Sequence, residues 1–215
     1  MTGARLIDRA DAGGIATLVL AHGAGGPMDG ATMSAAASAI AEAGVTVVRF
    51  EFGYMAGRRE GKRRPPPRIP AIVPEFAAVL AAVLSDTEGP VLIGGKSMGS
   101  RVASRLAATD IDPRVRGVVA LGFPFHPPGS PDRSRLDDLA ASALPVLVCQ
   151  GTRDPFGSRD EVAAMALPTA VTVAWLEDGN HDLAPRVSSG FTRSGHLAAA
   201  AKAVAAFAEA HCRSM

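Results

Sequence analysis

The sequence is poor in aromatic residues, with one tryptophan, one tyrosine and eight phenylalanines in 215 positions. Proteins that bind single-stranded nucleic acid interleave aromatic and basic side chains as stacking platforms, and no such arrangement occurs here. An excess of one charge is missing too. Lys and Arg total 22 against 21 Asp and Glu, a formal net charge of +1, so nothing draws the whole chain toward nucleic acid or an anionic membrane. Only two cysteines occur, Cys149 in an apolar run and Cys212 in what reads as a polar C-terminal tail. A disulfide framework is therefore not expected, and the usage fits a reducing compartment. The longest apolar runs read as strand length, short of the ~20 residues that a membrane helix needs. The opening MTGARLIDRADAGG holds no apolar segment of signal-peptide length. These absences lead to the expectation of a soluble, cytoplasmic protein without nucleic-acid or membrane partners.

What the chain does have is aliphatic residues and alanine in alternating blocks. Strand-like runs fall at 16–23 (ATLVLAHG), 46–52 (TVVRFEF), 90–95 (PVLIGG), 115–123 (VRGVVALGF), 145–151 (PVLVCQG) and 171–177 (VTVAWLE). Most are continuously apolar, as expected of strands covered on both faces of a parallel sheet. Helical stretches lie between them at 31–43, 71–85, 99–108, 134–143, 158–166 and 195–210, with Gly44 as a cap for the first and Ser194 at the start of the last. The segment ARLIDR adds a candidate edge strand. The fold class predicted is α/β, a mostly parallel central sheet with helices on both faces, in one domain over residues 1–215. Two connections lack any apolar period: 55–70 (MAGRREGKRRPPPRIP), basic and proline-rich, and 123–134 (FPFHPPGSPDRS). Both read as loops, and loops that leave strand C-termini line the binding crevice of such a sheet.

The stretch PVLIGGKSMGSR, 90–101, contains two overlapping words. GGKS suggests a phosphate-binding loop, and GKSMG fits G-x-S-x-G. The phosphate loop needs a glycine five positions before its G-K-S, but Pro90 stands there. The strand also runs directly into Gly94-Gly95, which leaves no loop of amides to wrap a phosphate. The second word explains more. A nucleophile elbow puts serine on a sharp turn between strand and helix, with small residues two before and two after because the chain segments nearly touch. VLI is the strand, Gly95 and Gly99 are the small flankers, Ser97 is the apex, and SRVASRLAA begins the helix.

A serine hydroxyl attacks poorly until a base removes its proton and a third group orients that base. In this topology the partners follow in the order Ser, acid, His, each after a strand. PVLVCQGTRDPFG supplies Asp154, and AWLEDGNHDL supplies His181. HGAGG (22–26) leaves the first strong strand, so the amides of Ala24 or Gly25, together with that of Met98, are candidate oxyanion donors. Lys96 and His22 are read as substrate-side residues. Lys96 sits at the mouth of the site, and His22 orders the HGAGG loop without performing chemistry.

HGAGG, GKSMG, GTRDPFG and DGNHDL together resemble the alpha/beta-hydrolase superfamily. GGKSMGSR, FEFGYMAGRR and the basic, proline-rich run after it resemble one small group within it. That group comprises compact bacterial predicted hydrolases, a eukaryotic testis-expressed protein and a scaffold subunit of a histone-acetyltransferase complex. The resemblance covers the chain from about Thr17 to the last helix. It implies Ser97 as nucleophile, Asp154 as orienting acid and His181 as base. Many superfamily members insert a lid after the strand that follows the elbow helix. Here the gap from about Pro124 to Leu144 holds a proline-rich loop and one short helix, so an open, lidless site is expected.

The other titratable residues read as structural. His126 is a loop residue within reach of a ligand, and His196 and His211 lie on a helix face or in the tail. Asp178 and Asp182 flank His181 too closely along the chain to reach its ring, and Asp160 is a first-turn helix acid favoured by the helix dipole. The basic run Arg58–Arg64 reads as a solvated loop, with recognition of an anionic group or an acidic partner as its functional version. The expectation is a serine hydrolase acting on a small ester, thioester or amide through an acyl-enzyme, with no metal or organic cofactor. The alternative is an interaction protein that binds a partner through the basic loop. Oligomeric state is left open.

Overall fold

A computed structural model of the chain describes residues 4–11, 14–62 and 64–212. Seven strands form one sheet: β1 (Arg5–Asp8), β2 (Ala16–Ala21), β3 (Val45–Phe50), β4 (Val91–Lys96), β5 (Val115–Leu121), β6 (Val146–Gly151) and β7 (Val171–Leu176). Their order is β1-β3-β2-β4-β5-β6-β7. All neighbours are parallel except β1, which lies antiparallel on β3 as the edge strand expected from ARLIDR.

Alternation along the strands sorts the core into two layers. Leu18 and Leu20 of β2 face α1 (Ala31–Glu42) and α7 (Arg193–Cys212), where Met33, Ile40, Leu197 and Val204 are buried with them. Val19 and Ala21 face the other side, against α3 (Ile69–Asp86) and α4 (Met98–Leu106). Each fully buried aliphatic side chain, such as Leu92 or Ile93 on β4, stabilises the fold by about 1.5–3 kcal/mol relative to exposure. Two short helices, α5 (Leu136–Ala140) and α6 (Arg159–Ala163), complete the second layer. α6 opens on a capping box in which the Ser158 hydroxyl accepts from the Glu161 amide and the Glu161 carboxylate accepts from the Ser158 amide.

The structure departs from the sequence reading in three places. Residues 55–70 are not wholly loop. α2 (Gly53–Arg59) forms across their start, because Tyr54 and Met55 find burial beside Phe52 despite two helix-weakening glycines. Arg63 of the basic run lies outside the described residues. Cys212 is not in a polar tail: α7 carries it into the core at 7% exposure, and both cysteines are free thiols. Finally, α3 is an 18-residue helix with a mean hydropathy of 1.7, long and apolar enough by those measures to cross a membrane. Its apolarity has a local explanation. Ile72, Phe76, Val79, Leu80 and Val83 are buried, and exposed positions such as Ala71, Ala78 and Ala81 are small.

The first crossover, β2 to β3, runs toward one edge of the sheet, and β4 returns to the other side of β2. The C-terminal ends of β2 and β4 therefore flank the point where strand order reverses, the crevice in which open α/β sheets bind ligands. HGAGG leaves one of these ends and GKSMG the other.

Candidate active site

Ser97 stands between β4 and α4 with φ 52° and ψ −112°. A non-glycine residue in such a conformation costs about 1–3 kcal/mol and persists only where the surroundings impose it. Here they do. A Cβ on Gly95 would come within 2.3 Å of Gly99 backbone, and one on Gly99 within 2.6 Å of the Ala21 carbonyl oxygen. The two flanking glycines let the elbow close against itself and against the end of β2. The carbonyl of Ser97 accepts from Ser100 Oγ at 2.6 Å, which ties the turn into the first turn of α4.

The pairing of β6 with β7 sets Gly151 beside Leu176, so the turns after these strands lie side by side. One carries Asp154 and the other His181. Asp154 is fully buried. Its Oδ2 accepts from His181 Nδ1 at 2.8 Å, and its Oδ1 from the Phe156 amide at 2.8 Å. On its other side, His181 Nε2 lies 2.9 Å from Ser97 Oγ. Because an ionised carboxylate only accepts, the ring proton sits on Nδ1 and leaves Nε2 as an acceptor for the serine proton. Phe156 packs on the imidazole with ring centroids 4.2 Å apart.

The sequence reading had not singled out Gln150. It is fully buried on β6, and its Nε2 donates to Asp154 Oδ2 at 2.9 Å, to Gly157 O at 3.1 Å and to Phe123 O at 3.2 Å. It holds the acid turn and the carboxylate at once. The only sequence signal for it is a polar residue at the end of an otherwise apolar strand.

The acid–histidine turn has its own clamp. Asp178, at φ 56°, accepts from the Arg186 amide at 2.7 Å and pairs with Arg153 and Arg186. Its amide donates to Thr152 Oγ1 at 2.8 Å. The Arg186 hydrogen bond foremost holds its carboxyl down to about 2. Asp178 thus closes the loop that carries His181, and neither it nor Asp182 bonds to the ring.

The two residues read as substrate-side, His22 and Lys96, are both engaged by protein partners. His22 is fully buried and lines neither of the two cavities that border Ser97. Its Nδ1 donates to Gly23 O at 2.6 Å, and its Nε2 accepts from the Phe52 amide at 3.1 Å. Burial lowers its pKa, which keeps the ring neutral for this double role. Lys96 lines a cavity beside Ser97, with its ammonium already paired. Its Nζ donates to the His181 carbonyl at 2.9 Å and pairs with Asp182 Oδ1 at 2.9 Å. Likewise His126 is 1% exposed, with Nδ1 on the Pro127 carbonyl, and His196 is buried against the Leu183 carbonyl.

HGAGG is held from behind. The Tyr54 hydroxyl lies 3.3 Å from Gly23 O and 3.1 Å from Ala24 O, donating toward both. In a trans peptide the next N–H points opposite to the carbonyl, so the amides of Ala24 and Gly25 point away from Tyr54. No acceptor among the described residues takes the N–H of Ala24, Gly25 or Met98. Among the described residues, no group of three or more His, Cys, Asp or Glu side chains is placed to hold a metal ion.

Ser97 lies between two open cavities, both within the size range of small-molecule sites. The first, about 520 Å³, runs past Pro66, Pro67 and Arg68 toward Arg101, Arg105 and Arg135. The second, about 460 Å³, runs past Gly25, Gly26 and Met33 toward His181 and the Lys96–Asp182 pair. Ala24, Ser97 and Phe156 border both. Between β5 and β6 the sole helix is α5, so no lid domain is inserted there.

A parallel sheet with a strand–Ser–helix elbow at its switch point defines the alpha/beta hydrolase class. The sequence matches the alpha/beta hydrolase domain family over residues 14–209, and the chain belongs to that family. Among solved structures it is similar to an alpha/beta serine hydrolase without a lid from Xanthomonas campestris, at 23% identity and a TM-score of 0.64, covering 83% of this chain and 80% of that one. An alpha-beta serine hydrolase homologue from Coxiella burnetii shares 19% identity at a TM-score of 0.68, covering 94% and 90%. Est1E from Butyrivibrio proteoclasticus, solved with ferulic acid bound, shares 16% at a TM-score of 0.70, covering 96% and 95%. At these identities the likeness is one of fold.

Proposed function

We propose that the protein is a single-domain serine hydrolase of the esterase kind, acting on a small ester, thioester or amide. The observation that carries this reading is the unbroken line of hydrogen bonds from buried Asp154 through His181 to Ser97, on an elbow strained at the serine. His181 Nε2 takes the Ser97 proton as Oγ attacks the substrate carbonyl. The unpaired amides of Met98 and of Ala24 or Gly25 stabilise the oxyanion. The resulting imidazolium, its Nδ1–H held by Asp154, protonates the leaving alcohol, thiol or amine and leaves an acyl-Ser97 ester. His181 then deprotonates a water, which releases the acid and restores the serine. The open cavities on either side of Ser97 suit a small soluble substrate better than a long acyl chain. The wording GGKSMGSR favours a place within the small group of predicted hydrolases that has eukaryotic members.

A panel of short-chain 4-nitrophenyl esters and thioesters tests this reading. Turnover by the wild type that is lost in Ser97→Ala supports it. Folded wild type that turns over none of them leaves the interaction-protein alternative in its place.

A further inference from the structure

The two cavities that meet at Ser97 differ in charge. In the second, the one lysine or arginine among the lining residues, Lys96, is neutralised by Asp182. The first is lined by four arginines, Arg68, Arg101, Arg105 and Arg135, with no carboxylate among its lining residues. One carboxylate lies behind it. Buried Asp138 takes Arg101 Nε at 2.5 Å through one oxygen and Arg105 Nε through the other. That single charge fixes the geometry of two guanidiniums but balances only one of them.

Arg135 takes no part in that pairing. It is half-buried and, among the described residues, pairs with no carboxylate; its side-chain hydrogen bond is a long one, 3.5 Å to the Pro124 carbonyl. Burial, and then the neighbouring Arg101 charge, press its pKa below the ordinary arginine value. Its backbone is anchored independently, because the Arg135 amide donates to Phe125 O at 2.7 Å. A partly desolvated guanidinium fork, reinforced by neighbours of like sign and open to a cavity, matches a planar carboxylate and would hold it bidentately. Arg68 adds a second charge at the exposed rim.

The geometry points to a substrate that carries a carboxylate in addition to its scissile acyl group, seated with that carboxylate on Arg135 while Ser97 attacks the acyl carbon. This inference rests on the hydrolase reading above. It names the substrate class as half-esters of dicarboxylic acids or acyl esters of hydroxy acids, according to which side of the scissile bond enters the arginine cavity. It also moves anion recognition away from the run Arg58–Arg64. There Arg59 is tied to Glu51 and Asp29, and Arg58 to the Arg64 carbonyl.

Two matched pairs of esters test it. Mono-4-nitrophenyl adipate against 4-nitrophenyl hexanoate places the charge on the acyl side. 4-Acetoxybenzoate against its methyl ester places it on the leaving-group side. In wild type at low ionic strength, one pair shows an anionic-to-neutral kcat/KM ratio of at least about tenfold, carried mainly by KM and shrinking as salt screens the charges. Arg135→Gln brings that ratio to about one, Arg135→Lys restores part of it, and Arg68→Gln lowers it a few-fold. Because each ratio is taken within one variant, loss of folded protein does not mimic the result. Ratios at or below one in both pairs, or a preference that survives Arg135→Gln, overturn the inference while leaving the hydrolase intact. If no ester of either kind is turned over, the hydrolase reading fails, and calorimetric titration with monomethyl adipate decides the subsite. Binding weakened about tenfold by Arg135→Gln upholds it, and no binding overturns it.

Discussion

Lys96 and His181 are joined by one hydrogen bond, from the Lys96 ammonium to the His181 backbone carbonyl at 2.9 Å, and the same nitrogen pairs with Asp182 at 2.9 Å. The residue just before the elbow serine thus grips the loop that carries the histidine. This contact couples the two chain segments whose separation sets the Ser97–His181 distance. A lysine in a glycine-rich word suggests phosphate binding from sequence, but here it is a fastener.

Lys96→Met is therefore expected to act through position. Loosening the histidine loop by a fraction of an ångström lowers kcat by roughly 3- to 30-fold with little change in KM. Steady-state kinetics on a neutral ester check this. A change confined to KM would point instead to direct contact between Lys96 and substrate.

Asp154 and Gln150 form the next pair. Asp154→Asn removes the acceptor that fixes the Nδ1–H tautomer, and kcat is expected to fall on the order of 10³-fold with the fold intact. Gln150→Leu leaves Asp154 with one donor fewer and frees the Phe123 and Gly157 carbonyls inside the core. It is expected to destabilise by about 1–3 kcal/mol in chemical denaturation and to lower kcat as well. A Gln150→Leu variant as stable and active as wild type would remove Gln150 from the machinery.

The turns after β6 and β7 approach so closely that a Cβ on Gly151 would lie 2.3 Å from the Gly179 carbonyl oxygen. Gly151→Ala forces the acid and histidine turns apart. It is expected to cost at least about 1–3 kcal/mol and to lower activity beyond what the loss of folded protein explains. Denaturation midpoints and active-site titration of the same samples separate the two effects.

Asp178 gives a pH signature. Its folded pKa is held down to about 2, foremost by the Arg186 hydrogen bond, below the usual value for aspartate. A depressed carboxyl contributes stability that is present above its unfolded pKa and is lost as pH falls toward the folded one. The wild-type urea midpoint is thus expected to fall between about pH 4 and pH 2. Asp178→Asn starts lower at pH 7 and falls less steeply over that interval. Parallel profiles for the two proteins would mean that Asp178 is not what clamps the loop at low pH.

What the sequence made legible was whatever obeys a local rule. The buried strands are continuous apolar runs, and Ser97, Asp154 and His181 each sit just past one of them, so order along the chain was enough to bring them together. The arginine cavity was hidden because its members come from α4, the turn before α5 and the end of the proline-rich loop, and no spacing connects them. Gln150 was hidden in an apolar strand, and Lys96 misled because its partners lie more than eighty residues away. α2 escaped because its stability comes from burying Tyr54 and Met55, not from helix propensity.

The central claim is that Ser97 is a nucleophile activated by His181. Treating the intact protein with a fluorophosphonate and mapping the adduct by mass spectrometry tests it most directly. The account predicts a phosphonyl group on Ser97 alone, absent in Ser97→Ala and slowed at least about 10³-fold in His181→Ala. Folded wild-type protein that stays unlabelled, or that carries the adduct on another residue, would contradict it.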